Sequence, residues 1–86
     1  DTHNRYFMRL IVEDRCGVLA EMTAVFAKYG VSVAQIIQKA AREAGSAEVV
    51  VITAKVREGD FRTAMEELSE RKSVRKISSM LRVYGE

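Results

Sequence analysis

The chain has 86 residues, of which 48% are hydrophobic and 30% charged, a balance typical of one globular domain and not of a disordered tail. Its 14 basic and 12 acidic residues are interspersed and leave a net charge of +2, so no nucleic-acid-binding surface is indicated. No apolar run approaches the roughly 20 residues that span a bilayer, and no secretory signal pattern is present, which predicts a cytoplasmic protein without a membrane partner.

The composition also restricts the kinds of site that the chain can form. One cysteine, Cys16, and one histidine, His3, exclude an internal disulfide and a zinc site with the usual ligand number. No Ser-His or Cys-His pair suggests a nucleophile, because His3 lies in the polar start of the chain. We therefore predict no catalytic residue and no metal ligand. A domain this small buries a modest fraction of its surface, which favours self-association.

The first half of the chain shows two apolar patterns. Residues 1–4 are polar and are interpreted as the end of a linker, so that a single domain spans residues 5–86 and forms part of a longer enzyme. Alternation predicts a strand near residues 5–13, and helical spacing of apolar residues predicts a helix near residues 17–29. A glycine then ends the helix, and a second strand is predicted near residues 31–39.

The second half repeats this pattern. β-Branched residues predict a third strand near residues 48–56, with apolar side chains on both of its faces. Apolar spacing of three and four predicts a second helix after Gly59, with Asp60 as its N-cap. A last strand is predicted from Val74. Its alternation puts four residues on one face: Ile77, Ser79, Leu81 and Val83.

The order β-α-β-β-α-β predicts an α+β fold, a ferredoxin-like βαββαβ sandwich with a four-stranded antiparallel sheet and two helices on one face. Because the helices cover only one face, the third strand, which is apolar on both sides, needs further cover. A second copy or the rest of a longer chain would supply it.

The junction between the first strand and the first helix is the strongest candidate for a binding site. Helix N-termini present unpaired N–H groups and a partial positive charge, which attract carboxylates. Gly17 and Val18 supply such backbone groups, and the neighbouring Asp14 can hold an ammonium group. We call residues 14–18 the lip. Its chemistry suits both charged ends of a free amino acid.

These segments resemble the ACT domain family, in which a strand ends in Asp or Asn, then Arg-Pro-Gly, and a helix leads to a Gly-(Val/Ile)-(Ser/Asn)-(Ile/Val) strand. The matching segments are Asp14-Arg15-Cys16-Gly17 and Gly30-Val31-Ser32-Val33. Residues 6–10, 33–39 and 80–83 are more narrowly similar to the C-terminal ACT domain of homoserine dehydrogenase.

The resemblance implies an amino-acid-binding allosteric regulatory domain that forms a homodimer or a higher homo-oligomer through its sheet edges. The effector would lie between the lip of one copy and the second strand of another. The residues implied to contact it are Val12, Asp14, Cys16, Gly17, Val18, Ser32 and Val33. Among these, Val12 would form an apolar floor, while Ser32 and Val33 would come from the other copy.

For a homoserine dehydrogenase, the resemblance further implies feedback inhibition by threonine in the aspartate-family synthesis of threonine, methionine and isoleucine. The parent enzyme would depend on NADP. Its cofactor and catalytic residues would lie outside this chain, in which we expect no cofactor.

One departure from the family pattern motivates another hypothesis. Cys16 stands where the family usually has proline, and without the ring the φ angle of the lip is less restrained. The domain would then serve constitutive dimerisation without effector binding. An ACT domain of another enzyme of amino-acid metabolism is a further alternative. A hydrolase would need a water-activating partner for Arg15, and an RNA-binding sheet would need aromatic residues on the third strand; neither is evident.

Overall fold

The computed structural model describes residues 3–83, which form one sheet and two helices. In chain order the elements are β1 (His3–Glu13), α1 (Val18–Lys28), β2 (Val33–Ala40), β3 (Ser46–Thr53), β4 (Val56–Arg57), α2 (Glu58–Ser69) and β5 (Val74–Val83). β1 thus includes His3 and Asn4, which the sequence suggested as linker. The rest of that segment, residues 1–2, lies outside the described residues, as do residues 84–86 of the predicted domain.

β1 is the central strand of the sheet. It pairs antiparallel with both β3 and β5, and β2 pairs antiparallel with β3, so β2 and β5 are the edge strands. This arrangement confirms the predicted ferredoxin-like fold. The structure has one strand that was not predicted separately, the two-residue β4, which pairs with His3 and Asn4 of β1. It is separate because the predicted third strand stops at Thr53 and pairing resumes only at Val56.

The core lies between the sheet and the two helices, which share one face of the sheet. Alternate residues of β1 point to this side, and Tyr6, Met8, Leu10 and Val12 are all buried there. They meet apolar side chains at helical spacing on α1 and α2, namely Val18, Met22, Val25, Phe26, Phe61, Ala64, Met65 and Leu68. The alternating apolar residues of β1 and the helically spaced apolar residues of α1 and α2 therefore form one core layer, as the sequence predicted.

α2 begins three residues earlier than the sequence suggested. Its N-cap is Arg57, whose backbone is extended at φ −67° and ψ 139°, and no side chain caps the first turn. The prediction of Asp60 as N-cap was wrong, because the chain enters the helix directly from β4. Asp60 lies instead in the first turn, where its Oδ2 is 3.1 Å from Arg57 Nε. Its negative charge is favourable there because the helix N-terminus is partly positive.

β5 departs from simple alternation. Its pairing with β1 shifts between Arg9 and Leu10, so that Ile77 lies opposite Leu10 while Leu81 lies opposite Phe7. Ile77 therefore packs against the core, whereas Leu81 is 59% exposed. The prediction that the two residues share a face was wrong. A bulge inserts one extra residue and reverses the alternation beyond it.

The other face of the sheet carries neither of the described helices. Val50 in the middle of β3 points to this side and is only 7% exposed, whereas Ile37, its partner on β2, is 41% exposed. Cover of this face by a second copy or by more of a parent chain stays a prediction.

Candidate functional site

The lip turns the chain from β1 into α1 through one glycine. Gly17 is the N-cap of α1 and has left-handed backbone angles, φ 89° and ψ −6°, and no side chain caps the helix. A Cβ at this position would meet nothing within 4 Å. The backbone conformation, and not lack of space, therefore favours glycine here.

Backbone hydrogen bonds anchor both sides of the lip. Glu13 N donates to Ser73 O at 2.8 Å, and Asp14 N donates to Gly45 O at 2.9 Å, which places the lip beside the turn that joins β2 to β3. Val18 N donates weakly to Arg15 O at 3.3 Å. The lip is thus held by its first residues and by its own turn.

The middle of the lip leaves donors free. The backbone N–H groups of Cys16 and Gly17 take part in no hydrogen bond between described residues, so they can donate hydrogen bonds to an anion. Asp14 is exposed, and its carboxylate has no hydrogen bond or ion pair with residues 3–83. Cys16 is also exposed. Donors and a carboxylate therefore stand next to each other without partners in the described part of the chain.

Arg15, in contrast, is engaged within the protein. Its Nε lies 2.8 Å from Glu13 Oε1, and its Nη2 lies 3.0 Å from Glu21 Oε1. The hydrogen bond with Glu13, reinforced by Glu21, raises the pKa of the guanidinium above its ordinary value. The guanidinium of Arg15 is therefore paired with two carboxylates of the same chain and is not an open anion-binding group, which removes the main support for the hydrolase hypothesis.

The side chains of two predicted contacts are buried. Val12 is 0% exposed and Val18 is 2% exposed, and both belong to the core. Two grooves among residues 3–83 have volumes of about 750 Å³ and 640 Å³, and neither is lined by a lip residue. The lip therefore contributes to neither of these two grooves.

Ser32 and Val33 lie at the opposite end of α1 from the lip. The 11 residues of this helix extend over roughly 16 Å, at about 1.5 Å per residue. Ser32 is exposed and accepts a hydrogen bond from Ala54 N at 2.9 Å, and Val33 pairs with Thr53 of β3. One chain therefore does not bring these two residues to the lip.

Sequence reasoning missed Glu21, which supports the lip from the first turn of α1. Its carboxylate accepts hydrogen bonds from Ser73 Oγ at 3.0 Å and from Arg15 Nη2 at 3.0 Å. The hydroxyl of Ser73, together with Arg15 and Arg71, lowers the pKa of Glu21, so the carboxylate is charged at neutral pH. An acidic residue in a first turn was a visible signal, but its partners Arg71 and Ser73 come from the far end of the chain.

Other kinds of site find no support in the described structure. Among residues 3–83, no three His, Cys, Asp or Glu side chains lie close enough together to hold a metal ion. Neither α1 nor α2 is long and apolar enough to cross a membrane.

Comparison with known proteins identifies the family to which this chain belongs. The ACT domain family matches residues 6–72, which is most of the chain. The chain is an ACT domain. The family resemblance inferred from its sequence is thereby confirmed.

This ACT domain is 39% identical over 85 residues to a homoserine dehydrogenase of Synechocystis sp., and 34% identical over 83 residues to one of Corynebacterium glutamicum. The alignments cover 99% and 96% of the chain but 19% and 18% of the two enzymes, so the chain spans about a fifth of their length. The crystal structure of a homoserine dehydrogenase from Thiobacillus denitrificans has the same fold, with a TM-score of 0.81 at 21% identity; the match covers 93% of this chain and 17% of that one.

Proposed function

We propose that this ACT domain binds a free amino acid, threonine in particular, and thereby regulates a homoserine dehydrogenase of which it is a part. The observation that carries the proposal is the lip, where free backbone N–H groups adjoin the unpartnered carboxylate of Asp14. A carboxylate ligand suits the former and an ammonium group suits the latter. The similarity to homoserine dehydrogenases supports the choice of parent, and threonine is the effector that the family resemblance of the sequence implies.

A second copy would complete the site. β2 is an edge strand, and the hydrogen bond between Asp14 N and Gly45 O joins the lip to the turn at the far end of β2. If two β2 edges pair antiparallel around a two-fold axis, the start of one β2 comes beside the end of the other. Ser32 and Val33 of the second copy would then approach the lip of the first, which a single chain cannot achieve.

This arrangement also provides a means of regulation. A ligand that contacts two copies binds one dimer arrangement better than another and shifts the population toward it. Coupling energies of about 1–3 kcal/mol are usual for such effects. We place the NADP-dependent catalytic part in the remainder of the parent enzyme, and cytoplasmic residence belongs to the same proposal.

The direct test is calorimetry of the chain with threonine, isoleucine, serine and methionine. We expect heat of binding with threonine, and a rise in melting temperature of about 10–20 °C at a hundredfold excess over Kd, from a linkage free energy of about 2.7 kcal/mol. No heat and no shift with any of the four at millimolar concentration would refute effector binding.

Asp14→Asn tests the ammonium contact. A charge-assisted hydrogen bond contributes about 1.5–3 kcal/mol, so we expect threonine affinity to fall by roughly 10- to 100-fold. Glu70→Gln is the matched control, because Glu70 is an exposed carboxylate on the C-cap of α2, outside the lip. Equal affinity in the two variants would show that Asp14 does not contact the ligand.

A second candidate function is constitutive dimerisation without an effector. It is favoured by Cys16 in place of proline and by the burial of Val12 and Val18, whose side chains are enclosed in the core of a single chain. Under this hypothesis sedimentation shows a dimer, and the melting curve is the same with every amino acid. A ligand-dependent melting temperature would exclude it.

A further inference from the structure

Two carboxylates on the helices each collect hydrogen bonds from separate parts of the chain. Glu21, in the first turn of α1, accepts from Arg15 of the lip and from Ser73 of the loop before β5, both at 3.0 Å. Ser73 is 1% exposed, so this carboxylate is held against the protein on one side. The carboxylate of Glu21 therefore joins the lip to the loop before β5.

Glu67, in the last turn of α2, likewise accepts hydrogen bonds from residues at the other end of α1. Its Oε1 accepts from the Tyr29 hydroxyl at 2.5 Å and from Lys28 Nζ at 3.0 Å. These two donors, together with Arg71, hold the pKa of Glu67 at about 2, so the carboxylate is charged at neutral pH. Tyr29 is the C-cap of α1.

Arg71 bonds to both carboxylates at once. Its Nη1 lies 3.3 Å from Glu21 Oε2, and its Nη2 lies 3.0 Å from Glu67 Oε2. The planar guanidinium presents several N–H groups in a rigid fork, whereas a lysine ammonium in its place would act as a point charge. One side chain therefore links the two carboxylates.

The residues joined in this way belong to the two ends of α1. Arg15 lies in the lip, and Tyr29 is followed by Gly30, whose positive φ of 73° turns the chain toward β2. Val31 N closes this turn by donating to Phe26 O at 2.8 Å. The side-chain path Arg15, Glu21, Arg71, Glu67, Tyr29 runs alongside the helix from its first turn to its last.

We propose that Arg71 is a positioning residue that couples the lip to the turn leading into β2, so that loosening one end of α1 loosens the other. Isolated exposed ion pairs contribute little to stability. The coupling arises because Glu21 and Glu67 each share their carboxylate between Arg71 and a group at one end of α1. That the two coupled ends are the two halves of a ligand site rests on the proposed function. The coupling itself does not.

Amide hydrogen exchange of the 86-residue chain, without any ligand, tests the coupling. Tyr29→Phe removes only the hydroxyl that bonds to Glu67. We expect the hydrogen-bonded amides around the lip, those of Glu13, Asp14 and Glu21, to exchange about 2- to 30-fold faster, the range expected of residues along a coupling network. In an Arg71→Met background, the same Tyr29→Phe change should have no further effect on these amides.

Two more variants complete the experiment. Arg62→Met breaks an ion pair of 2.8 Å with Glu58 on α2 and should leave both ends of α1 unchanged. Arg71→Lys keeps the charge but replaces the rigid fork of two nitrogens by a single nitrogen, so it should weaken the coupling and serves as the second variant if Arg71→Met does not fold. The proposal would be overturned if Tyr29→Phe left the exchange of the lip amides unchanged. It would also be overturned if Tyr29→Phe accelerated that exchange equally with and without Arg71. Because no ligand is present, this result is independent of whether an amino acid binds.

Discussion

Replacing Gly17 by alanine tests whether the lip holds the backbone conformation that exposes its N–H groups. Gly17 has a φ of 89°, and an added Cβ would meet no atom within 4 Å. The cost of the substitution is therefore that of a left-handed residue with a side chain, about 1–2 kcal/mol. For a domain of this size, that cost corresponds to a fall in melting temperature of about 4–8 °C for each kcal/mol.

Gly59→Ala is the matched control for this experiment. Gly59 lies in α2, its φ is not positive, and its Cβ would likewise meet nothing within 4 Å. Alanine there restricts the unfolded chain at no steric cost, so we expect a gain of about 0.4–1 kcal/mol. The two Gly-to-Ala changes should therefore have opposite signs.

Urea denaturation of both variants measures this difference. The midpoint should fall for Gly17→Ala and rise for Gly59→Ala, while the slope with denaturant stays that of the parent chain. If Gly17→Ala is as stable as Gly59→Ala, the lip does not require a left-handed residue. The account of why glycine begins α1 would then be refuted.

Three further predictions follow from the core and from the charged side chains. Phe26→Ala should cost about 3–5 kcal/mol in chemical denaturation because the ring is 0% exposed, and a cost under 1 kcal/mol would contradict this packing. Thr53→Val should cost about 1–3 kcal/mol because it leaves Tyr6 N, now 3.0 Å from Thr53 Oγ1, unpaired, whereas Thr63→Val on the exposed side of α2 should cost less. The unfolding free energy should decline as pH falls from about 5 toward 2, because the pKa of Glu67 is about 2 in the folded chain and 4.5 ordinarily. In Glu67→Gln this part of the decline should be absent. Identical pH profiles of the variant and the parent chain would disprove the contribution of Glu67.

Local pattern alone was enough to predict most of the fold. Alternation in β1 and the spacing of apolar residues on α1 each repeat within a few residues, so the faces that form the core are visible without knowledge of their partners. The helix predicted over residues 17–29 starts at Gly17 and stops before Gly30, and both glycines have a positive φ in the structure. The lip was predicted because Asp14 and the start of the helix are neighbours in the chain.

What the sequence could not show depends on partners that are remote along the chain. The bulge in β5 arises from pairing with β1, and alternation within β5 gave no sign of it. Arg71 and Glu21 are 50 residues apart, and Asp14 reaches the turn at Gly45 only because β1 and β3 pair. These contacts are set by how the layers pack and by the register of the strands, and neither quantity is encoded in a local period.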